Sequence, residues 1–312
     1  MNKFQRVAGQ KKNVGLLVPP LTPFTEDLRI DVKALHLGID YIVDHVRPTT
    51  VIAAGVEAQE YQFLAFEERR TLIEQTIKAV NGRIPVAAGI SHPSFRIAIE
   101  LAHFAEKAGA TELQLLAPQK PTGGVPTTKE LVAYFESIGR ETSLPIILYL
   151  NAGPGADLSI DATIELAKLD FIHGIKESSR DLARVSRLIV EIDHAGHAHY
   201  YTTMQMLLIT LQLGGSGITL PSPAAELARH VVDAYEAGDI GKATQLQLKF
   251  ATFPARWMPF GLAAVMKAAS NFIGIPAGKP YPPYAPVSGD ALAALHHFLS
   301  TTDLTRKELL RA

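Results

Sequence analysis

The sequence predicts an α/β fold, a (β/α)8 barrel of the TIM type with a C-terminal helical appendage. Three observations predict it. Short apolar runs bounded by Gly, Pro or polar turns recur along the chain, as buried strands require. Longer stretches of helical period alternate with them, the pattern of a parallel sheet wrapped by helices. Beyond the eighth strand-like run only helical periods follow, so the barrel is complete well before the chain ends.

In order, the strands are predicted at Gly15–Val18, Thr50–Ala54, Pro85–Gly89, Glu112–Leu116, Pro145–Tyr149, Ile172–Lys176, His199–Thr202 and Gly217–Leu220. The seventh is the weakest, being short and polar. Helices fall at Asp31–His45, Phe66–Val80, Ser94–Ala108, Thr127–Thr142, Ser159–Lys168, Asp181–Ile192 and Met204–Leu213. Ser94 is placed to cap FRIAIELAHFAEKAGA, which Gly109 terminates; Ser159 opens the fifth helix and Asp181 caps LARVSRLIVEI. Ala224–Ala237 is the eighth helix. Ile240–Phe253, Gly261–Phe272 and Ala291–Leu299 then form the appendage, set off by Gly238 and interrupted by the Pro-rich AGKPYPPYAP. The expected organisation is a flexible basic arm over residues 1–13, the barrel over 14–237 and a helical region over 238–312.

Composition narrows the function classes. Apolar residues make up 47% and charged residues 20%, enough to bury a large core and too apolar for a disordered chain. A net charge of −1 gives no field that gathers nucleic acid or an anionic membrane, which leaves a small molecule as the expected partner. There is no cysteine, hence no disulfide, thiolate nucleophile or Cys-ligated metal. Pro19, Pro20 and Pro23 break the first apolar stretch, so no signal peptide or spanning helix is expected, and the default location is cytoplasmic.

In such a barrel the reacting groups stand at the C-terminal ends of strands and in the loops that follow. Lys176 ends the sixth strand. Apolar walls around it disfavour the ammonium form and would leave a nucleophilic amine; the alternative is a lysine that pairs with Glu177 or holds an anion. Tyr149 ends the neighbouring strand, about 4.8 Å away by strand spacing, where a phenol can pass protons or simply plug the barrel top. Gln119, Lys120, Asn151, Ser178, Thr203, Thr219 and Ser222 are polar candidates for an outer substrate site, or solvated loop residues.

The segments LVPPLTPFTEDLRID, FEERRTLIEQTIKAVNGRIPVAAGI, AIELAHFAEKAGATELQLLAP, LPIILY and GIKESSRDLARVSRL, in this order and spacing, resemble the landmarks of the dihydrodipicolinate synthase/N-acetylneuraminate lyase family. The resemblance implies that Lys176 forms an imine with pyruvate or a related 2-oxo acid and that Tyr149 is the acid/base. It also implies a homo-oligomer, a tetramer or dimer, with no cofactor and no metal. The chain departs from the family in three places. The family's GTTGE segment is Val56-Glu57-Ala58-Gln59-Glu60 here, so both carboxylate-binding hydroxyls are lost. Backbone amides at Glu57 and Ala58 remain available to a carboxylate, while the Glu57 side chain reads as an acid/base toward another part of the substrate or as a solvated glutamate. Ala117-Pro118-Gln119-Lys120 replaces the tyrosine segment, and Gly153 stands where the synthase has an arginine for its aldehyde substrate. These losses argue against the synthase reaction itself. They leave an aldolase-type lyase, a dehydratase of 2-oxo-3-deoxy sugar acids using the same lysine, or a sensor that binds a 2-oxo acid without turning it over.

Two other signals are set aside. His194, His197 and His199 suggest a metal, and Gly214-Gly215-Ser216-Gly217 suggests a phosphate cradle, but both precede a strand and so belong to the opposite end of the barrel.

Overall fold

The computed structural model describes residues 14–58, 60–304 and 306–307. The expected arm over 1–13 lies outside the described residues. Eight parallel strands hydrogen-bond in sequence order as a closed barrel: β1 Gly15–Val18, β2 Thr50–Ala53, β3 Val86–Gly89, β4 Glu112–Leu116, β5 Ile146–Leu150, β6 Ile172–Glu177, β7 His199–Thr202 and β8 Gly217–Thr219. Runs such as TVIA, VAAG and IILYL are buried at every position, as strands covered on both faces must be.

The described residues form two compact units, one of residues 14–15 and Pro85–Thr219, the other of residues 16–84 and 220–307. In the first, α3 Phe95–Ala108 buries Ala98, Leu101, Ala102 and Ala105, a stripe at spacings of three and four that faces the strands. Gly109 ends it at φ +100°, as expected. Ser94 holds the N-cap position without a capping bond from its side chain; its backbone N–H donates instead to His92 Nδ1 at 2.9 Å. Ser159 and Asp181 do cap α5 Ile160–Ala167 and α6 Leu182–Leu188, accepting from Ala162 N and from Ala183 N and Arg184 N. Helix α4 spans Thr128–Gly139, and α7 Leu207–Gln212 is preceded by a 3-10 turn at Met204–Met206.

The polar character of β7 has a physical reason. Tyr200 faces away from the barrel interior and donates to Glu177 Oε2 at 2.8 Å, while its backbone N–H donates to buried Asp193. Burial, and then the Glu177 charge, raise the Tyr200 phenol well above its ordinary pKa. Glu177 is held from its other side by Arg184. The Gly214–Gly217 segment is a helix-to-strand turn, and its Ser216 donates to Asp193 at 2.6 Å and meets His199 Nδ1 at 2.9 Å.

In the second unit, α1 Val32–Tyr41 runs on into a π turn at Ile42–Val46, and α2 spans Phe66–Val80. Helix α6 likewise continues into a π turn, Ile189–His194, so two helices that read as uniform each change pitch at an Ile-Val pair. After α8 Ala224–Glu236 the expected helix over 240–253 is instead α9 Ile240–Gln247 and α10 Lys249–Thr252, followed by a 3-10 segment Ala255–Phe260. Pro254 explains the stop: the residue before a proline is driven out of helical backbone, and Phe253 sits at φ −97°, ψ 133°. The remaining helices are α11 Leu262–Phe272 and α12 Gly289–Ser300. Lys267 and Asn271, one turn apart on α11, hold the Pro-rich segment by donating to Lys279 O and Gly278 O.

Candidate active site

Strand register builds the site. In β5 and β6, Tyr149 lies opposite Lys176, and in β6 and β7 Lys176 lies opposite Tyr201, so the three residues form one row across adjacent strands. Because side chains alternate along a strand, Lys176 shares a face with Gly174 and turns its back on Glu177. The alternative in which Lys176 pairs with Glu177 therefore fails, since Glu177 is engaged by Arg184 and Tyr200 on the other face.

Below Lys176 the ring of Tyr201 occupies space that side chains at two glycines would otherwise fill. A Cβ at Gly174 would stand 3.2 Å from Tyr201 Cε2, and one at Gly15 only 2.5 Å from Cε1. Small residues at these points let an aromatic ring form a floor beneath the amine. Lys176 is 2% exposed and Tyr149 1%.

Lys176 Nζ donates to Tyr149 Oη at 2.8 Å and to Ser178 Oγ at 2.7 Å. Ser178 Oγ is itself 3.3 Å from Tyr149 Oη, which closes a triangle of amine, phenol and hydroxyl. Asn151 Nδ2 donates to the same phenol oxygen at 3.2 Å. Nζ also lies 4.0 Å from the Tyr149 ring centroid, over its electron-rich face. Such a group can do one thing well: present a nucleophilic nitrogen to a carbonyl carbon while carrying protons to and from the oxygen of the adduct.

Of the residues expected from sequence, Lys176, Tyr149, Asn151 and Ser178 come together here. Gln119 does not join them; its Nε2 donates to Gly155 O at 2.8 Å and ties the loop after β4 to the loop after β5. Lys120 pairs with Glu130 at 3.1 Å. The Glu130 carboxyl is held at about 2 chiefly by the Thr127 backbone N–H, with Lys120 assisting. Thr219, at the end of β8, is 1% exposed, and its hydroxyl has no hydrogen-bond partner among the described residues.

Glu57 and Ala58 lie in a 3-10 turn, Val56–Ala58, of the second unit. Glu57 is 4% exposed, which rules out a solvated loop carboxylate. It lines a cavity of about 280 Å³ together with Glu60, Phe63, Phe260, Tyr281 and Tyr284. Sequence reasoning missed Lys267, buried on α11, whose Nζ meets Glu60 Oε1 at 2.8 Å. No local pattern announces that pair, because its members are far apart in sequence. The Tyr201 floor was legible in principle, since the alternation of HYYT puts one of its two tyrosines inside.

Comparison with known proteins gives a consistent result. The model of the dihydrodipicolinate synthetase family matches residues 12–302. The 4-hydroxy-tetrahydrodipicolinate synthase of Moorella thermoacetica is 31% identical over 267 residues, covering 84% of this chain and 89% of the relative. That of Methanococcoides burtonii is 29% identical over 279 residues, 88% and 94% of the two chains. Among solved structures, YagE, a prophage protein of E. coli K12 in complex with pyruvate, superposes with a TM-score of 0.83 at 26% identity, covering 92% of this chain and 97% of YagE. N-acetylneuraminate lyase from Mycoplasma synoviae shares the fold, with a TM-score of 0.79 at 20% identity over 92% and 96% of the chains. With a match that runs through nearly every element described above, this chain belongs to the dihydrodipicolinate synthetase family.

Proposed function

We propose that the protein is a Schiff-base lyase of the aldolase type acting on pyruvate or a longer 2-oxo acid. The observation that carries this reading is the buried contact of 2.8 Å between Lys176 Nζ and Tyr149 Oη. The uncharged amine attacks the ketone carbon, and Tyr149 returns a proton to the carbinolamine oxygen so that it leaves as water. Ser178, in contact with both groups, offers a second path for the same protons. The resulting iminium accepts the electron pair released at the adjacent carbon.

From there two reactions are open. Removing a proton from a hydroxyl at C4 breaks the bond between C3 and C4 and gives an aldehyde; removing the C3 proton and expelling the C4 hydroxyl as water gives dehydration. Thr219, whose buried hydroxyl has no partner among the described residues, supports a substrate oxygen near the end of β8. The losses at Glu57, Ala58, Gln119 and Gly153 favour a physiological substrate other than that of the synthases.

Incubation with a panel of 2-oxo-3-deoxy sugar acids tests this, with pyruvate release and loss of substrate water measured in parallel. The expected result is turnover of at least one compound by one of the two routes, abolished in Lys176→Met. Tight binding without turnover, undiminished in that variant, would instead describe a sensor.

A further inference from the structure

We propose that Asn151 is a positioning residue that gives the proton relay its direction, a role that rests on Lys176 and Tyr149 acting as above. The argument begins with what each group can donate. A phenol, a hydroxyl and a neutral amine can each give or accept a hydrogen bond, so Tyr149, Ser178 and Lys176 form a triangle that can run either way round. Asn151 cannot reverse. The backbone N–H of Gly153, which only donates, points at Asn151 Oδ1 at 3.3 Å and fixes that atom as the oxygen of the amide. The nitrogen is then the atom 3.2 Å from Tyr149 Oη, and it can only donate.

An amide N–H directed at Oη occupies a lone pair on the phenol oxygen. The phenol proton is thereby turned away from Asn151, toward the side where Lys176 and Ser178 stand. The same contact stabilises negative charge on the oxygen whenever the proton has been passed on.

Asn151 is held rigidly enough for this. Gly155 N donates to Asn151 O at 2.9 Å, Ala156 N donates to Ala117 O at 2.9 Å, and Gln119 grips Gly155 O. Gly155 packs so closely on β4 that a Cβ would lie 2.6 Å from Leu116 Cδ1 and 2.7 Å from Ala117 O. The loop after β5 is thus clamped to the end of the neighbouring strand, and the amide is aimed by its backbone.

The test uses pyruvate alone: exchange of its methyl protons for deuterium in heavy water, followed by NMR across a pH series. Exchange above the spontaneous rate of enolisation reports the imine and a base, and needs no second substrate. Asn151→Asp keeps the shape and replaces the donor by an acceptor, so exchange should fall about tenfold or more at neutral and alkaline pH and recover as acid protonates the new carboxylate. Asn151→Leu should lose rate to a similar extent with no recovery in acid and with pyruvate affinity maintained. A wild-type pH profile in Asn151→Asp overturns the proposal, as does unaltered exchange in Asn151→Leu should the first variant not fold. Exchange in wild type that vanishes in Lys176→Met shows the lysine reading intact while these outcomes are scored. Equal exchange in both overturns that reading, and this inference with it.

Discussion

At Thr219 stability and function pull apart. A buried hydroxyl with no partner costs about 1–3 kcal/mol, and a fold optimised for stability alone would not keep it. Thr219→Val, which preserves shape and removes the oxygen, should raise the unfolding free energy by about 1 kcal/mol while weakening binding of the 2-oxo acid. Calorimetry and ligand titration on one preparation check both halves, and a variant that melts lower than wild type counts against a substrate role. At this scale Lys176 and Tyr149 were legible because strand ends are, and a row across β5 and β6 follows from parallel spacing. The partners of Asn151 and Gln119 were not, because a loop side chain has no period to fix where it points.

Among the elements, α11 and the turn after β2 are joined by the buried pair Lys267–Glu60. Burial raises the Glu60 carboxyl above its ordinary pKa and lowers that of the Lys267 ammonium; in each case the partner's charge offsets part of the shift. Lys267→Met leaves the carboxylate uncompensated and should cost about 3–5 kcal/mol, whereas Lys267→Met with Glu60→Gln should cost much less. The sign of the pH effect follows from the raised carboxyl. Between 4.5 and its raised value the folded chain keeps a proton that the unfolded chain has released, so stability falls as pH rises through that window. Denaturant titrations of wild type and Glu60→Gln across it should show a slope in the first and its loss in the second; equal slopes refute the assignment. Elements were read well where periodicity is long, as in α2 and α3. They were read poorly where a helix breaks or changes pitch without changing pattern, as at Leu248 and in α1 and α6.

For the whole molecule, the closed barrel was legible because eight buried strands alternating with helices leave few other solutions, whereas the sequence says nothing direct about assembly. The family resemblance implies a dimer or tetramer, so light scattering should return the mass of two or four chains of 33.8 kDa; a monomer at working concentration contradicts that. The central claim is chemical and is tested most directly by borohydride reduction in the presence of pyruvate, followed by peptide mass mapping. A reduced pyruvyl adduct on Lys176, missing without pyruvate, is the predicted result. An unmodified Lys176 under conditions where the protein binds pyruvate would contradict it.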